Sequence, residues 1–281
     1  MMRILFSLIY LFLTMFLAAS CDEDNSDSLS DFPNKTGTRW TYSRFSEFRN
    51  FQPDSLNDQL NLRDSSEVSI EIIGKMMFDN SIETYAFYGE EVFDFGVSKS
   101  TNYYQIQNDG MYLYAYSATA GPVVFPKPGS SIPVLFKGKI FTGIKELTGS
   151  ITDLVPFSGT VADTIYIEDP PVKTLQFPMT VGAHWNFRTE NSSWVIDKEV
   201  TGKKVIQVIV GSFDCFVVQW LFDFDYDSVW DNDVEYFDYI GESGLIKRTI
   251  LIKELALMNE NSEIIGTFDF YDEYILNNLY Q

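Results

Sequence analysis

The chain has 281 residues, with 40 Asp and Glu against 20 Lys and Arg and a net charge of −20. Such a charge repels nucleic acid and anionic surfaces, so no nucleic-acid partner is expected. The length suits one large or two small domains, and a 16% share of Phe, Trp and Tyr can fill a substantial core.

Residues 1–20 differ from everything after them. Arg3 supplies a positive start, and residues 4–19 are uncharged and mostly Leu, Ile, Phe and Ala. That stretch is long enough for a signal-peptide core and short for a membrane span, which needs about 20 apolar residues. Ala18, Ala19 and Ser20 lead into Cys21, which resembles the site where lipoprotein signal peptidase cuts before a diacylated cysteine. Residues 1–20 therefore read as a lipoprotein signal peptide and Cys21 as the lipidation site, with several acyl chains holding the protein to a membrane. An ordinary secretory signal and a retained membrane anchor are the alternatives. Residues 21–31 are acidic, polar and free of aromatics, and read as a tether.

An internal repeat organises the body. Phe32-Pro33-Asn34-Lys35-Thr36-Gly37-Thr38-Arg39-Trp40-Thr41-Tyr42 recurs as Phe177-Pro178-Met179-Thr180-Val181-Gly182-Ala183-His184-Trp185-Asn186-Phe187. Proline fixes an extended entry, glycine permits a turn with positive φ, and a strand then starts with Trp and an aromatic on one face. After the first copy, Val68, Ile70 and Ile72 alternate with Glu67, Ser69 and Glu71, Asp79-Asn80 is a turn candidate, and short helical turns fit near 55–62. Residues 103–114 form an aromatic hairpin pattern that returns more loosely at 236–247. Prolines punctuate the join at 119–176, where short strands fit at 134–141 and 161–168. Glu168-Asp169-Pro170-Pro171 reads as a boundary. After the second copy, Val218, Trp220, Phe222, Phe224 and Tyr226 share a face, and a long strand at 245–258 turns at 259–262 into another. The reading is mainly β, as two related antiparallel units of curved-sheet or half-barrel type, with few or no helices beyond the signal segment. The first unit, with its Pro-rich join, spans 32–168 and the second spans 169–281.

The two Phe-Pro-x-x-x-Gly-x-x-Trp motifs resemble the openings of β-rich Bacteroidota envelope lipoproteins. So does Val208-Ile209-Val210-Gly211-Ser212-Phe213 followed by Gly241-Glu242-Ser243-Gly244-Leu245-Ile246-Lys247. Acidic residues behind Cys21 are similar to the surface-export signal of such lipoproteins. The resemblance implies a bacterial cell-envelope address, a lipid anchor at the outer membrane and, in some of these families, the half-barrel sheet of periplasmic lipoprotein carriers. It brings no catalytic residues.

No catalytic set or cofactor motif emerges from the residues. His184 stands where the first repeat has Arg39 and reads as an exposed strand residue. Cys215, in an apolar run, reads as a buried structural thiol. One His and one spare Cys do not make a zinc site. Asp223, Asp225, Asp227, Asp231 and Asp233 mimic part of a calcium loop, yet Ser228 and Val234 stand where such a loop needs Gly and Glu. The solvent face of a strand accounts for these aspartates equally. Tyr103, Tyr104, Tyr112 and Tyr114 read as a sugar-stacking surface or as core. The functional expectation is a membrane-anchored, non-catalytic binding module for a hydrophobic or glycan ligand. A carboxylate-dependent, calcium-assisted envelope hydrolase and a purely structural or assembly role are the alternatives. The oligomeric state stays open.

Overall fold

The computed structural model describes residues 28–56, 63–93, 96–119, 133–152, 165–189 and 194–281. The signal segment, Cys21 and most of the tether lie outside the described residues. The chain forms β1 (Arg39–Gln52), β2 (Arg63–Phe78), β3 (Ile82–Phe93), β4 (Gly96–Gln107) and β5 (Gly110–Thr119). An insert follows, made of β6 (Val134–Phe136), β7 (Lys139–Phe141) and α1 (Ile144–Thr152). Then come β8 (Ile165–Gln176), β9 (His184–Arg188), β10 (Val195–Val208), β11 (Gly211–Asp223), β12 (Val234–Gly241), β13 (Gly244–Met258) and β14 (Ile264–Tyr280).

One antiparallel sheet takes the order β8-β5-β4-β3-β2-β1-β14-β13-β12-β11-β10-β9 and curves into a nearly closed barrel. The mainly β, curved antiparallel architecture read from the sequence is what the chain adopts, with the curvature carried close to closure. Each half of this order is a six-stranded meander, β1 to β8 and β9 to β14. The last strand of each lies beside the first strand of the other.

The repeated motifs start the two meanders with the same hydrogen bonds. Gly37 and Gly182 take φ of 89° and 86°, which only glycine adopts cheaply. The Gly37 N–H donates to Ile72 O and the Gly182 N–H to Val200 O, both at 2.8 Å. Within each turn Thr38 donates to Lys35 O at 3.0 Å and Ala183 to Thr180 O at 2.9 Å. Trp40 and Trp185 are then buried in one core cluster.

The aromatic hairpins fall at equivalent places, β4–β5 and β12–β13, and each tip meets the other meander's motif. The Trp40 indole donates to Ser243 O at 2.6 Å, and the Phe177 N–H donates to Asp109 O at 3.1 Å. Gly110 and Gly244 open the returning strands, Gly110 because a side chain would collide with backbone and Gly244 because its φ of 98° suits glycine. A Cβ on Gly110 would stand 2.4 Å from Leu175 O, and one on Gly244 would stand 3.1 Å from the Trp40 indole nitrogen.

Three stretches of sequence take a different form from the one read. The 168/169 boundary falls inside β8, whose register skips from Ile167 to Val172 against β5. Pro170 and Pro171 sit in that bulge, tolerated because β8 ladders with β5 alone. In the insert, Ile144, Leu147 and Ile151 come at helical spacing and bury one face of α1 in the core cluster that holds Phe222 and Ile252. At the tether's end, Leu29 is buried and exchanges backbone hydrogen bonds with Met179 at 3.1 and 2.6 Å. Leu29 thus packs against the barrel.

Candidate functional site

Alternation on a strand sends every second residue inward, and several of the inward residues here are charged. Arg44 follows Trp40 and Tyr42 in phase, Asp238 follows Tyr236, Arg248 lies between Ile246 and Ile250, and Asp272 lies between Phe270 and Tyr274. These charges are paired. Arg44 grips Asp272 with Nε and an NH2 group, each at 3.0 Å, and reaches Glu91 at 2.7 Å. Arg248 donates to both Asp238 oxygens at 2.6 and 3.1 Å, and the Trp220 indole adds 2.9 Å to the second. Burial pushes the Asp272 carboxyl above the ordinary aspartate range, and Arg44 opposes that shift. Two-sided pairing of this kind keeps buried charge tolerable.

Between the two main core clusters the barrel wall lines a partly open cavity of about 340 Å³. This is near the lower end of small-molecule sites, roughly 300–1,000 Å³. Its wall is apolar at Trp40, Ile70, Phe87, Met111, Leu113 and Leu175 and polar at Ser98, Ser100 and Asn102.

A cross-strand row, Lys198 on β10, Trp220 on β11 and Tyr236 on β12, forms another part of the wall. Trp220 and Tyr236 stack at 4.1 Å and 8°. The Lys198 ammonium lies 3.6 Å from the Trp220 ring centre and 3.9 Å from that of Phe187. It donates one hydrogen bond, to Thr174 O at 3.1 Å, and forms no ion pair among the described residues. Lys198 is only 3% exposed. Burial holds its amine well below the ordinary lysine range; Asp238 opposes that shift and Arg248 adds to it. The Tyr236 hydroxyl is buried with no hydrogen-bond partner, and burial holds it well above the usual tyrosine range.

Of the candidate site residues singled out from the sequence, Tyr104 lines the cavity and the others among the described residues lie elsewhere. Asp223, Asp225 and Asp227 do come together, with carboxylate oxygens within 4.8 Å of one another. They are not one strand face, since β11 ends at Asp223 and the others stand in the loop after it. Asp223 already accepts the Tyr226 and Ser228 N–H groups at 2.7 and 3.0 Å. Asp231 and Asp233 instead pair with Lys137, at 2.6 and 2.5 Å. Of the tyrosines, Tyr103 and Tyr114 are buried against Phe78, Tyr104 lines the cavity, and Tyr112 bonds Asp109 at the surface. Burial pushes the Cys215 thiol up to about 12, leaving little thiolate for chemistry. His184 is exposed and 3.1 Å from Asp197.

Comparison of the sequence with known protein families and with curated proteins finds no match. Among solved structures, the barrel is similar to a Bacteroides fragilis protein described as having a YmcC-like fold and, by assignment rather than demonstration, as exported. The identity is 10% and the TM-score 0.32, over 89% of this chain and 99% of that one.

Proposed function

We propose that this chain is an envelope lipoprotein that binds an amphipathic small molecule inside its barrel without transforming it. The address rests on Arg3, the apolar run after it and Cys21. Binding rests above all on the partly open cavity of about 340 Å³ inside the barrel wall. An apolar ligand suits it better than a glycan, because sugars need a free aromatic face. Trp220 has Lys198 against its ring and Tyr236 stacked on it, and Tyr236 also carries Arg248 at 5.2 Å. The non-catalytic reading is supported by the groups around the cavity: Glu91 and Asp238 are tied to arginines and Glu90 to Lys99 and Tyr88, and among the described residues no lining side chain pairs a nucleophile with a base.

The direct test is titration with N-phenyl-1-naphthylamine, a neutral apolar dye. Saturable binding at one site per chain is expected, weakened about tenfold or more in Ser100→Phe, which fills the cavity from β4. Binding unchanged by that substitution contradicts the proposal. For the address, Cys21→Ala should release the protein from the membrane fraction; unchanged fractionation would refute the lipid anchor.

A further inference from the structure

The cavity wall holds two hydrogen-bond donors that the fold does not satisfy. Every other inward charge described above has its counter-charge: Arg44 has Asp272 and Glu91, and Arg248 has Asp238. Lys198, when protonated, has three N–H donors, spends one on Thr174 O, and has aromatic rings rather than a carboxylate beside it. The Tyr236 hydroxyl, on the neighbouring side of Trp220, has no acceptor at all. Leaving buried donors unmade is costly unless something supplies the acceptor. A water molecule could accept one hydrogen bond from each donor, but it brings no charge to an ammonium enclosed by rings.

We infer that the barrel's ligand carries an anionic head, a carboxylate in the simplest case, which lodges at the inward edge of Trp220 between Lys198 and Tyr236 and sends an apolar tail along the wall of Phe87, Met111, Leu113 and Leu175. This rests on the binding role proposed above and specifies its ligand as an amphipathic acid. The pairing follows from the chemistry of the groups. A carboxylate presents two oxygens, one for the ammonium and one for the phenol, and charge-assisted hydrogen bonds are the strong kind. The tail's counterpart is the apolar part of the cavity. Arg248 and Arg44 are already committed in bidentate or branched pairs and do not compete for the head.

The experiment is calorimetric titration of the full chain with octanoate, decanoate and dodecanoate, beside the alcohols of the same chain lengths. The best acid should bind about tenfold or more tightly than its alcohol, as hydrogen bonds to a charged group imply. Lys198→Met should bring the acid's affinity down to about that of its alcohol. Tyr236→Phe, which removes only the hydroxyl, should weaken acid binding by about fivefold. Alcohols binding as tightly as acids, or acid binding unchanged in Lys198→Met, would overturn the anionic head while leaving the binding role intact. Absence of binding by acids and alcohols alike would overturn both.

Discussion

Where β1 meets β14 the two meanders are zipped by a ladder running from Arg39 opposite Tyr280 to Gln52 opposite Thr267. Where β8 meets β9, the equivalent junction, no ladder joins the two strands among the described residues, and side chains span the gap instead. Arg188 on β9 grips both oxygens of Glu168 on β8 at 2.9 and 2.7 Å, and Lys198 on β10 reaches Thr174 O on β8. Local sequence explains the difference. β9 is five residues long against 17 in β14, and β8 carries Pro170 and Pro171, which have no N–H to offer a partner strand. The two meanders start alike, but strand length and proline leave only one of their two junctions closed by backbone pairing among the described residues. The open junction is also the one that Lys198 crosses.

The contrast can be broken most sharply by removing one ion pair at each junction. Asp272→Ala strands Arg44 among buried groups beside the zipped junction and should cost about 3–5 kcal/mol in chemical denaturation. Arg188→Ala opens the partly exposed pair at the other and should cost about 1–2 kcal/mol. Equal losses would mean that the junctions are not held differently.

A pH profile tests the residue that crosses the open junction. The Lys198 amine titrates lower in the folded than in the unfolded protein. Between those two values the unfolded chain binds the extra proton, so stability should rise with pH, by at most about 1.4 kcal/mol per pH unit. Below the folded value this contribution is flat. Above about pH 10 the buried tyrosines, held high in the fold, reverse the sign. Denaturation midpoints measured up to about pH 9.5 should therefore climb, and Lys198→Met should flatten the climb. An unchanged slope would show that burial of this amine does not govern it.

The smallest effect concerns the likeness of the units. Gly37→Ala and Gly182→Ala each place a side chain at positive φ with open space around it, so strain alone sets the cost. Each should lose about 1 kcal/mol, and the two losses should agree. A large inequality in thermal unfolding would argue that the motifs share a pattern without sharing a role.

Much of this architecture was readable from residue order. The motif at 32–42 and 177–187, with its glycine and its Trp two before an aromatic, has a physical meaning that the backbone repeats bond for bond. The paired aromatic hairpins likewise fall at equivalent strands. The insert was harder to read, because a nine-residue helix with three apolar contacts lies among prolines that suggest irregular chain. The charged residues of the barrel interior are hard to read for a different reason. Polar residues on a strand are ordinarily assigned to solvent, yet Arg44, Lys198, Asp238, Arg248 and Asp272 all keep the phase of their apolar neighbours. Ile196-x-Lys198-x-Val200 and Tyr236-x-Asp238-x-Ile240 carried that signal. Only closure of the sheet turns this phase into an interior, because an open sheet gives a charged residue a route to water. The acidic loop attracted attention through composition, although much of its carboxylate capacity serves the loop's own backbone and Lys137.

The central claim is that two equivalent meanders form one barrel, zipped at one junction and unzipped at the other. Amide hydrogen exchange followed by peptide mass spectrometry addresses it in one measurement. The account predicts that peptides from β1 and β14 exchange only with global unfolding, while β8 and β9 exchange amides much faster. Equal protection at both junctions would mean that the second is also closed by a ladder; rapid exchange across β1 and β14 would mean that the halves are not joined as described.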